Sequence, residues 1–63
     1  MTIKRERYTK DGIETTLEFG TGRGWYYVKL DNVVLSQTTM WRFAWDAGRN
    51  ARTALASTGW SLV

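Results

Sequence analysis

Apolar and polar residues alternate strictly in the segment IETTLEF, residues 13–19. Odd positions hold apolar residues and one threonine, and even positions hold glutamate or threonine. Successive side chains of a β-strand point to opposite faces, so this period of two predicts a strand with one buried face. Three further segments are predicted to be strands: residues 2–9, 25–30 and 33–37.

Two segments between these strands have the residues of tight turns. KDG at 10–12 contains a glycine, which accepts positive φ, and DN at 31–32 has the length of a two-residue hairpin loop. GTGRG at 20–24 is predicted to be a flexible loop because three of its five residues are glycine. The chain therefore predicts an antiparallel meander of three or four strands.

The DN turn predicts how the last two strands pair. The expected pairs are Leu30 with Val33, Val28 with Leu35, and Tyr26 with Gln37. This register places a mainly apolar set on the core face of the sheet. The side chains that it leaves on the outer face are Trp25, Tyr27, Lys29, Val34 and Ser36.

The period changes to that of a helix after the fourth strand. Over residues 39–58, apolar side chains recur at the three- and four-residue spacing of an amphipathic helix. Thr38 or Thr39 is the predicted N-cap, because a hydroxyl there can accept a hydrogen bond from the first turn. The stripe predicted to face the sheet consists of Met40, Phe43, Ala44, Ala47, Ala51, Ala54 and Leu55.

The end of this helix has a sequence signal of its own. Gly59 suits the left-handed position that follows many helices, and Trp60 would then contact Leu55, as in a Schellman ending. The predicted fold is α+β, with a three- or four-stranded antiparallel meander packed on one long C-terminal helix. Its 63 residues are expected to form one small domain.

Composition excludes several classes of chemistry. Without cysteine or histidine the chain has no disulfide, no zinc site of the Cys/His type and no His- or Cys-dependent catalysis. Glu14 and Glu18 would lie roughly 13 Å apart along one strand, too far for a retaining glycosidase pair. We therefore expect no enzymatic activity, no cofactor and no metal. The lack of cysteine, of a long apolar run and of a signal peptide favours a cytoplasmic protein outside membranes.

The basic charge permits nucleic acid as a partner. The net charge is +3 and the isoelectric point is about 9.7. Aromatic side chains beside cations suit nucleic acid through base stacking and phosphate contact. The predicted nucleic-acid-binding residues are Lys4, Arg5, Arg7, Trp25, Tyr27 and Lys29. Glu14 and Glu18 share the outer face and favour an alternative, a solvated face with cross-strand ion pairs. The basic cluster KRER at 4–7 has an alternative of its own, a protected edge strand, since edge strands often carry charge.

A second contact surface is predicted on one flank of the helix, where tryptophans and arginines follow at helical spacing: Trp41, Trp45, Arg49 and Arg52. Tryptophan and arginine are favoured anchors of protein interfaces. The predicted protein-interface residues are Trp45, Arg49, Arg52, Leu55 and Trp60. Ala54, Leu55 and the tail GWSLV are candidates for a homodimer contact, and Trp45 and Arg49 for a cation–π contact. A surface ion-pair network is predicted from Arg42, Asp46 and Arg49.

The hairpin GWYYVKLDNVVL followed by the long helix resembles the three-strand-plus-helix DNA-binding domains of the AP2 and integrase N-terminal type. The resemblance covers about residues 13–58 and is architectural. The residues that carry it are Trp25, Tyr27 and Lys29 on the strand and Ala44, Ala47 and Ala51 on the helix. It implies that the exposed sheet face enters the major groove. The sheet of that family is rich in arginine, whereas the second strand here carries Glu14 and Glu18.

These observations predict a small, basic, non-enzymatic binding module. The first hypothesis is DNA or nucleic-acid binding through the outer face of the sheet. The second is a small inhibitor or adaptor of the kind that phages and mobile elements encode, which would block a partner protein. The third is a structural subunit whose exposed aromatic side chains mediate self-association.

Overall fold

A five-stranded antiparallel sheet and one helix form the structure, a computed structural model that describes residues 1–63. The elements are β1 Thr2–Lys10, β2 Ile13–Gly22, β3 Trp25–Leu30, β4 Val33–Thr38, α1 Trp41–Ser57 and β5 Ser61–Leu62. The strands lie in the order β4-β3-β2-β1-β5, so the first four form a meander. The prediction of an α+β fold with an antiparallel sheet and a C-terminal helix is confirmed.

Two of the three hairpin turns follow the sequence prediction. Asp11 and Gly12 have φ of 52° and 79°, and Asp31 and Asn32 have φ of 49° and 67°. Positive φ at both central residues is typical of a type I′ turn, which matches the twist of the flanking strands. The predicted turns at KDG and DN are therefore confirmed.

The sheet is larger than predicted at two places. β2 continues to Gly22, so only residues 23–24 connect it to β3 and the predicted flexible loop at 20–24 is wrong. The amide of Thr21 donates a hydrogen bond to the carbonyl oxygen of Met1 over 2.8 Å, which holds this part of β2 in the sheet. The tail forms β5 against β1, with Leu62 opposite Tyr8. Leu62 is still 62% exposed, and the homodimer contact of the tail stays a prediction.

The predicted register of the β3–β4 hairpin is right at the turn and wrong beyond it. Leu30 faces Val33 as expected, but Val28 faces Ser36 and Tyr26 faces Thr38. The cause is a bulge at Leu35, which inserts one extra residue into β4. Ser36 therefore lies on the helix side of the sheet, and Gln37 takes the predicted place of Ser36 on the outer face.

The start of α1 differs from the prediction and its end agrees with it. Met40 is the N-cap, and the Thr38 hydroxyl accepts a hydrogen bond from the Met40 amide outside the helix. At the other end Gly59 has a φ of 92°, and the amide of Trp60 donates to the carbonyl of Leu55 over 3.0 Å. This bond, with that of Gly59 to Ala56, forms the predicted Schellman ending.

The core lies between the sheet and one side of α1. Its buried side chains are Tyr8, Leu17, Phe19, Val28, Ala44 and Leu55. Gly48 is the point of closest approach, since a β-carbon there would lie 2.2 Å from Cε1 of Phe19. The stripe predicted to face the sheet is wrong in part, because Met40, Phe43 and Ala54 are exposed. Ala44 and Leu55 of the stripe are buried as predicted, and Gly48, which is not part of the stripe, is buried with them.

The helix crosses the sheet diagonally. It begins beside Tyr26 on β3, passes Phe19 on β2 and ends near β1, where the Lys10 ammonium donates to the carbonyl oxygen of Thr58 over 2.6 Å. A cation at this place also complements the negative end of the helix dipole. The inner face is open to solvent at the β3–β4 turn. Val33 is 63% exposed although it lies on the same face as Leu30.

Candidate functional site

The outer face of the sheet holds most of the predicted nucleic-acid-binding residues. Arg5 and Arg7 of β1 lie opposite Glu18 and Thr16 of β2, and Lys29 of β3 lies opposite Glu18 on its other side. Trp25 and Tyr27 share this face. Lys4 does not, because it lies opposite Phe19 on the helix side, where its ammonium is 3.2 Å from a carboxylate oxygen of Glu6.

The two aromatic rings of the outer face cover glycines of the neighbouring strand. Tyr27 lies opposite Gly20 and Trp25 lies opposite Gly22. A β-carbon on Gly20 would lie 1.9 Å from the Tyr27 ring, and one on Gly22 would lie 2.4 Å from the Trp25 ring. Tyr27 is consequently only 8% exposed, with the Lys29 ammonium 4.7 Å from its ring centroid. The packing of Tyr27 leaves no room for a base to stack on its ring.

The cations of the outer face have carboxylate neighbours. Arg5 Nε lies 3.5 Å from Glu18, and Arg7 lies 3.9 Å from Glu14. Hydrogen bonds from the hydroxyls of Thr2 and Tyr27 hold the pKa of the Glu18 carboxyl below its ordinary value. Glu18 is therefore a fixed anion in the middle of the predicted nucleic-acid surface, and it reduces the positive potential there.

A shallow polar groove of about 780 Å³ lies beside these cations. It is lined by Lys4, Arg5, Glu6, Arg7, Thr16, Glu18, Asp31, Asn32, Leu62 and Val63. Three of these residues are basic and three are acidic. The groove can take a polar ligand, but its lining carries no net charge at neutral pH.

The flank of α1 that points toward β1 carries a group of aromatic rings. The Trp41 ring packs edge-on against Tyr26 with centroids 5.4 Å apart, and Trp45 lies 6.4 Å from Trp41. Trp45 remains 45% exposed. We call the exposed group of Trp41, Trp45 and Arg49 the tryptophan flank. Its rings are held by neighbouring rings, so little rotamer freedom is left to lose on binding.

Arg52 connects this flank to the sheet. Its Nε and Nη2 donate hydrogen bonds of 2.9 and 3.0 Å to the two carboxylate oxygens of Glu6, and its guanidinium lies 5.0 Å from the Phe19 ring. Tyr8 donates a third hydrogen bond to Glu6. Burial alone would raise the pKa of Glu6, but the hydrogen bonds from Arg52, Tyr8 and Lys4 outweigh it and lower that pKa.

Two predicted contacts of α1 are wrong. Arg52, not Arg49, lies over Trp45, at 6.0 Å, and Arg42, Asp46 and Arg49 form no ion pair with one another. Leu55 is a core residue, and Trp60 is half-buried against the core where the Schellman ending places it. Of the five predicted protein-interface residues, Trp45 and Arg49 are the two that are exposed.

The role of Glu6 was missed at the sequence level. Strand alternation puts Glu6 on the same face as Tyr8, which is the core side, while Arg5 and Arg7 point the other way. A carboxylate on the core side needs a cation to balance it. The signal that could have identified the partner is the one arginine of α1 near the core stripe, Arg52.

No group of acidic side chains suited to a metal ion is present. The single helix lacks the length and apolar character needed to cross a bilayer. Comparison of the chain with protein-family models, with curated proteins and with solved structures finds no match to any of them.

Proposed function

We propose that this chain is a small protein-binding module, an inhibitor or adaptor that contacts a partner protein through the tryptophan flank. The observation that carries the proposal is an exposed Trp45 beside Arg49, a cation without a carboxylate within salt-bridge distance. Tryptophan and arginine dominate the binding energy of many interfaces. The proposal includes a cytoplasmic location, which the absence of cysteine permits.

The chemistry of the flank indicates the kind of partner surface that fits. The rings of Trp41 and Trp45 require an apolar pocket, and Arg49 favours a carboxylate at its rim. Because the aromatic cluster is already packed against Tyr26, binding does not have to order it. The proposal is of a non-enzymatic module, which would work by covering a surface of its partner.

The Trp45→Ala variant is expected to lose the partner. Capture from an extract of the source cells, followed by titration with the purified partner, should show at least about a tenfold weaker complex. Removal of the exposed ring takes away the side chain that fills the pocket of the partner. Arg49→Ala should weaken the complex less and make it less sensitive to salt, because that residue supplies a rim charge.

Ile13→Ala is the matched control, because Ile13 is also exposed and apolar but lies at the β1–β2 turn. It should retain the partner with unchanged affinity. A complex that survives in Trp45→Ala, or that is lost equally in Ile13→Ala, would contradict the proposal. Circular dichroism of each variant checks that the fold is retained.

Nucleic-acid binding through the outer sheet face is the second candidate. The observation in its favour is the groove that Arg5 and Arg7 line together with the neutral polar residues Thr16 and Asn32. The resemblance to three-strand-plus-helix DNA-binding domains implies the same face. Both arginines have carboxylate neighbours, so binding would require phosphates to displace Glu14 and Glu18 from them.

Fluorescence anisotropy with labelled duplex and single-stranded oligonucleotides separates the two candidates. Under the protein-binding proposal we expect no saturable binding at about 50 mM salt, a condition that favours phosphate contacts. Saturable binding that weakens steeply by about 200 mM salt, and that is lost in Lys29→Ala, would instead support the nucleic-acid function.

A further inference from the structure

We infer that a second copy of this chain pairs with the free edge of β4, forming an antiparallel dimer with one continuous sheet. The surface concerned consists of the β4 backbone with Val33, Leu35, Met40 and Phe43, and we call it the β4 border. It lies on the side of α1 opposite the tryptophan flank. The inference is therefore independent of the proposed function and does not compete with it for surface.

The edge of β4 lacks most of the features that prevent an edge strand from pairing with another strand. β4 pairs with β3 on one side only, and its sequence VVLSQT contains no charge and no proline. The bulge at Leu35 is its one protective feature. The other edge, β5, is only two residues long. β4 is thus the edge at which backbone pairing with another strand is available.

The helix adds side chains to the same border. Its opposite flank is turned toward β1, as the contact of Arg52 with Glu6 shows, so Met40 and Phe43 point toward the β4 side. Phe43 is 55% exposed and Val33 is 63% exposed. More than half of each of these two side chains is therefore open to solvent.

The absence of charge selects a second copy as the occupant. A two-fold axis places identical residues against each other, so any charge near the axis would face its own kind. β4 has no charge, and the four side chains of the border are apolar. Two β4 strands related by such an axis are antiparallel, and their two helices lie on the same face of the joined sheet. The free backbone N–H and C=O groups of each edge would then form hydrogen bonds with those of the other.

The size of the border sets the expected affinity. A standard interface removes about 800 Å² from each partner, close to a fifth of the 4439 Å² surface of this chain. One six-residue strand and one helix flank supply less than that. We therefore expect a dimer with a dissociation constant in the range of about 1 to 100 µM.

Sedimentation equilibrium of the whole chain tests the inference. Between about 0.1 and 500 µM, the mass should rise from near 7.3 kDa toward twice that value. Phe43→Glu and Leu35→Lys each bring like charges together across the axis and should raise the dissociation constant at least about tenfold. Ile13→Glu is the matched control, because Ile13 is 64% exposed and lies two strands away from β4.

Two results would overturn the inference. One is a wild-type chain that stays monomeric over the whole concentration range. The other is a dimer that neither Phe43→Glu nor Leu35→Lys weakens more than Ile13→Glu does. Trp45→Ala should dimerise like the wild type, and Phe43→Glu should keep the partner protein. Failure of the dimer is therefore distinguishable from failure of the proposed function.

Discussion

Replacement of Gly48 by alanine should destabilise the protein by about 2 kcal/mol, although alanine is the better helix former. The new methyl would lie 2.2 Å from Cε1 and 2.7 Å from Cζ of Phe19. That ring is buried, with Arg52 against it, so the helix must move away from the sheet. Overpacking of this kind costs up to about 3 kcal/mol, and the gain in helix propensity returns about 1 kcal/mol.

The expected loss of stability is opposite in sign to the usual effect of Gly→Ala in a helix. At a helical position with free space, Gly→Ala stabilises by about 1 kcal/mol. Urea denaturation followed by tryptophan fluorescence measures the difference directly. Thr53→Ala, on the exposed side of the same helix, serves as the control and should gain a few tenths of a kcal/mol. Stabilisation by Gly48→Ala would contradict the close approach of α1 to Phe19.

Replacement of Arg52 by alanine should cost about 3 kcal/mol. Glu6 is only 11% exposed, and Arg52 donates to both of its carboxylate oxygens. Removal of one partner from such a pair leaves a carboxylate away from water with Lys4 and Tyr8 as its remaining partners. The stem of Arg52 also packs beside Phe19 and Trp45, and alanine gives up that packing.

Glu6→Gln with Arg52→Ala forms a double-mutant cycle for this pair. The double variant should be more stable than the sum of the two single effects predicts, because it leaves no charge of the pair unbalanced. Additive effects in the cycle would show that Arg52 stabilises the fold through packing alone. Arg42→Ala, at an exposed position of α1, is the control for loss of an arginine and should change stability little.

The carboxylate of Glu6 makes the free energy of unfolding depend on pH, in a direction that its pKa predicts. The pKa of Glu6 in the folded protein is below its ordinary value of 4.5, so the folded state favours the charged form. The stabilisation that the charged Glu6 gives the fold is complete above pH 4.5 and is lost as the pH falls through the folded-state pKa. Wild-type stability should therefore fall in acid more steeply than that of Glu6→Gln. Equal slopes would contradict this role, since Glu18 and Asp31 titrate in both proteins.

Features that depend on neighbouring residues could be predicted from the sequence. The Schellman ending involves Gly59, Trp60 and Leu55, all within six consecutive residues, and each has the required residue type. The two-residue turn at Asp31 and Asn32 is equally local. The residues that such elements need are close together in the chain, so the pattern is sufficient to place them.

Features that depend on how the elements meet could not be predicted. Met40 and Phe43 are as apolar as any core residue, yet they are exposed because the helix crosses diagonally from β3 to β1. That path depends on the close approach at Gly48 and on the reach of Arg52 to Glu6. Neither contact follows from periodicity. The bulge at Leu35 has no glycine or other residue to signal it.

The outer aromatic side chains lie on the predicted face, and their packing over glycines is the feature that the sequence did not reveal. Trp25 and Tyr27 were expected to contact a ligand, since an aromatic outer face is unusual for a solvated sheet. In the structure each ring fills the space above a glycine of β2, and Tyr27 is nearly buried. The glycines at 20 and 22 were interpreted as a loop, so their pairing with the aromatic residues was not available from the sequence.

These ring-over-glycine pairs also protect the alignment of the two strands. A slip of β3 by two residues leaves every side chain on its own face, so the alternating pattern alone does not oppose it. That slip would put Trp25 opposite Gly20 and Tyr27 opposite Glu18, and one ring would lose the open space that it fills. Two large rings and two glycines at matching spacing thus favour the observed alignment of β2 and β3 over one shifted by two residues.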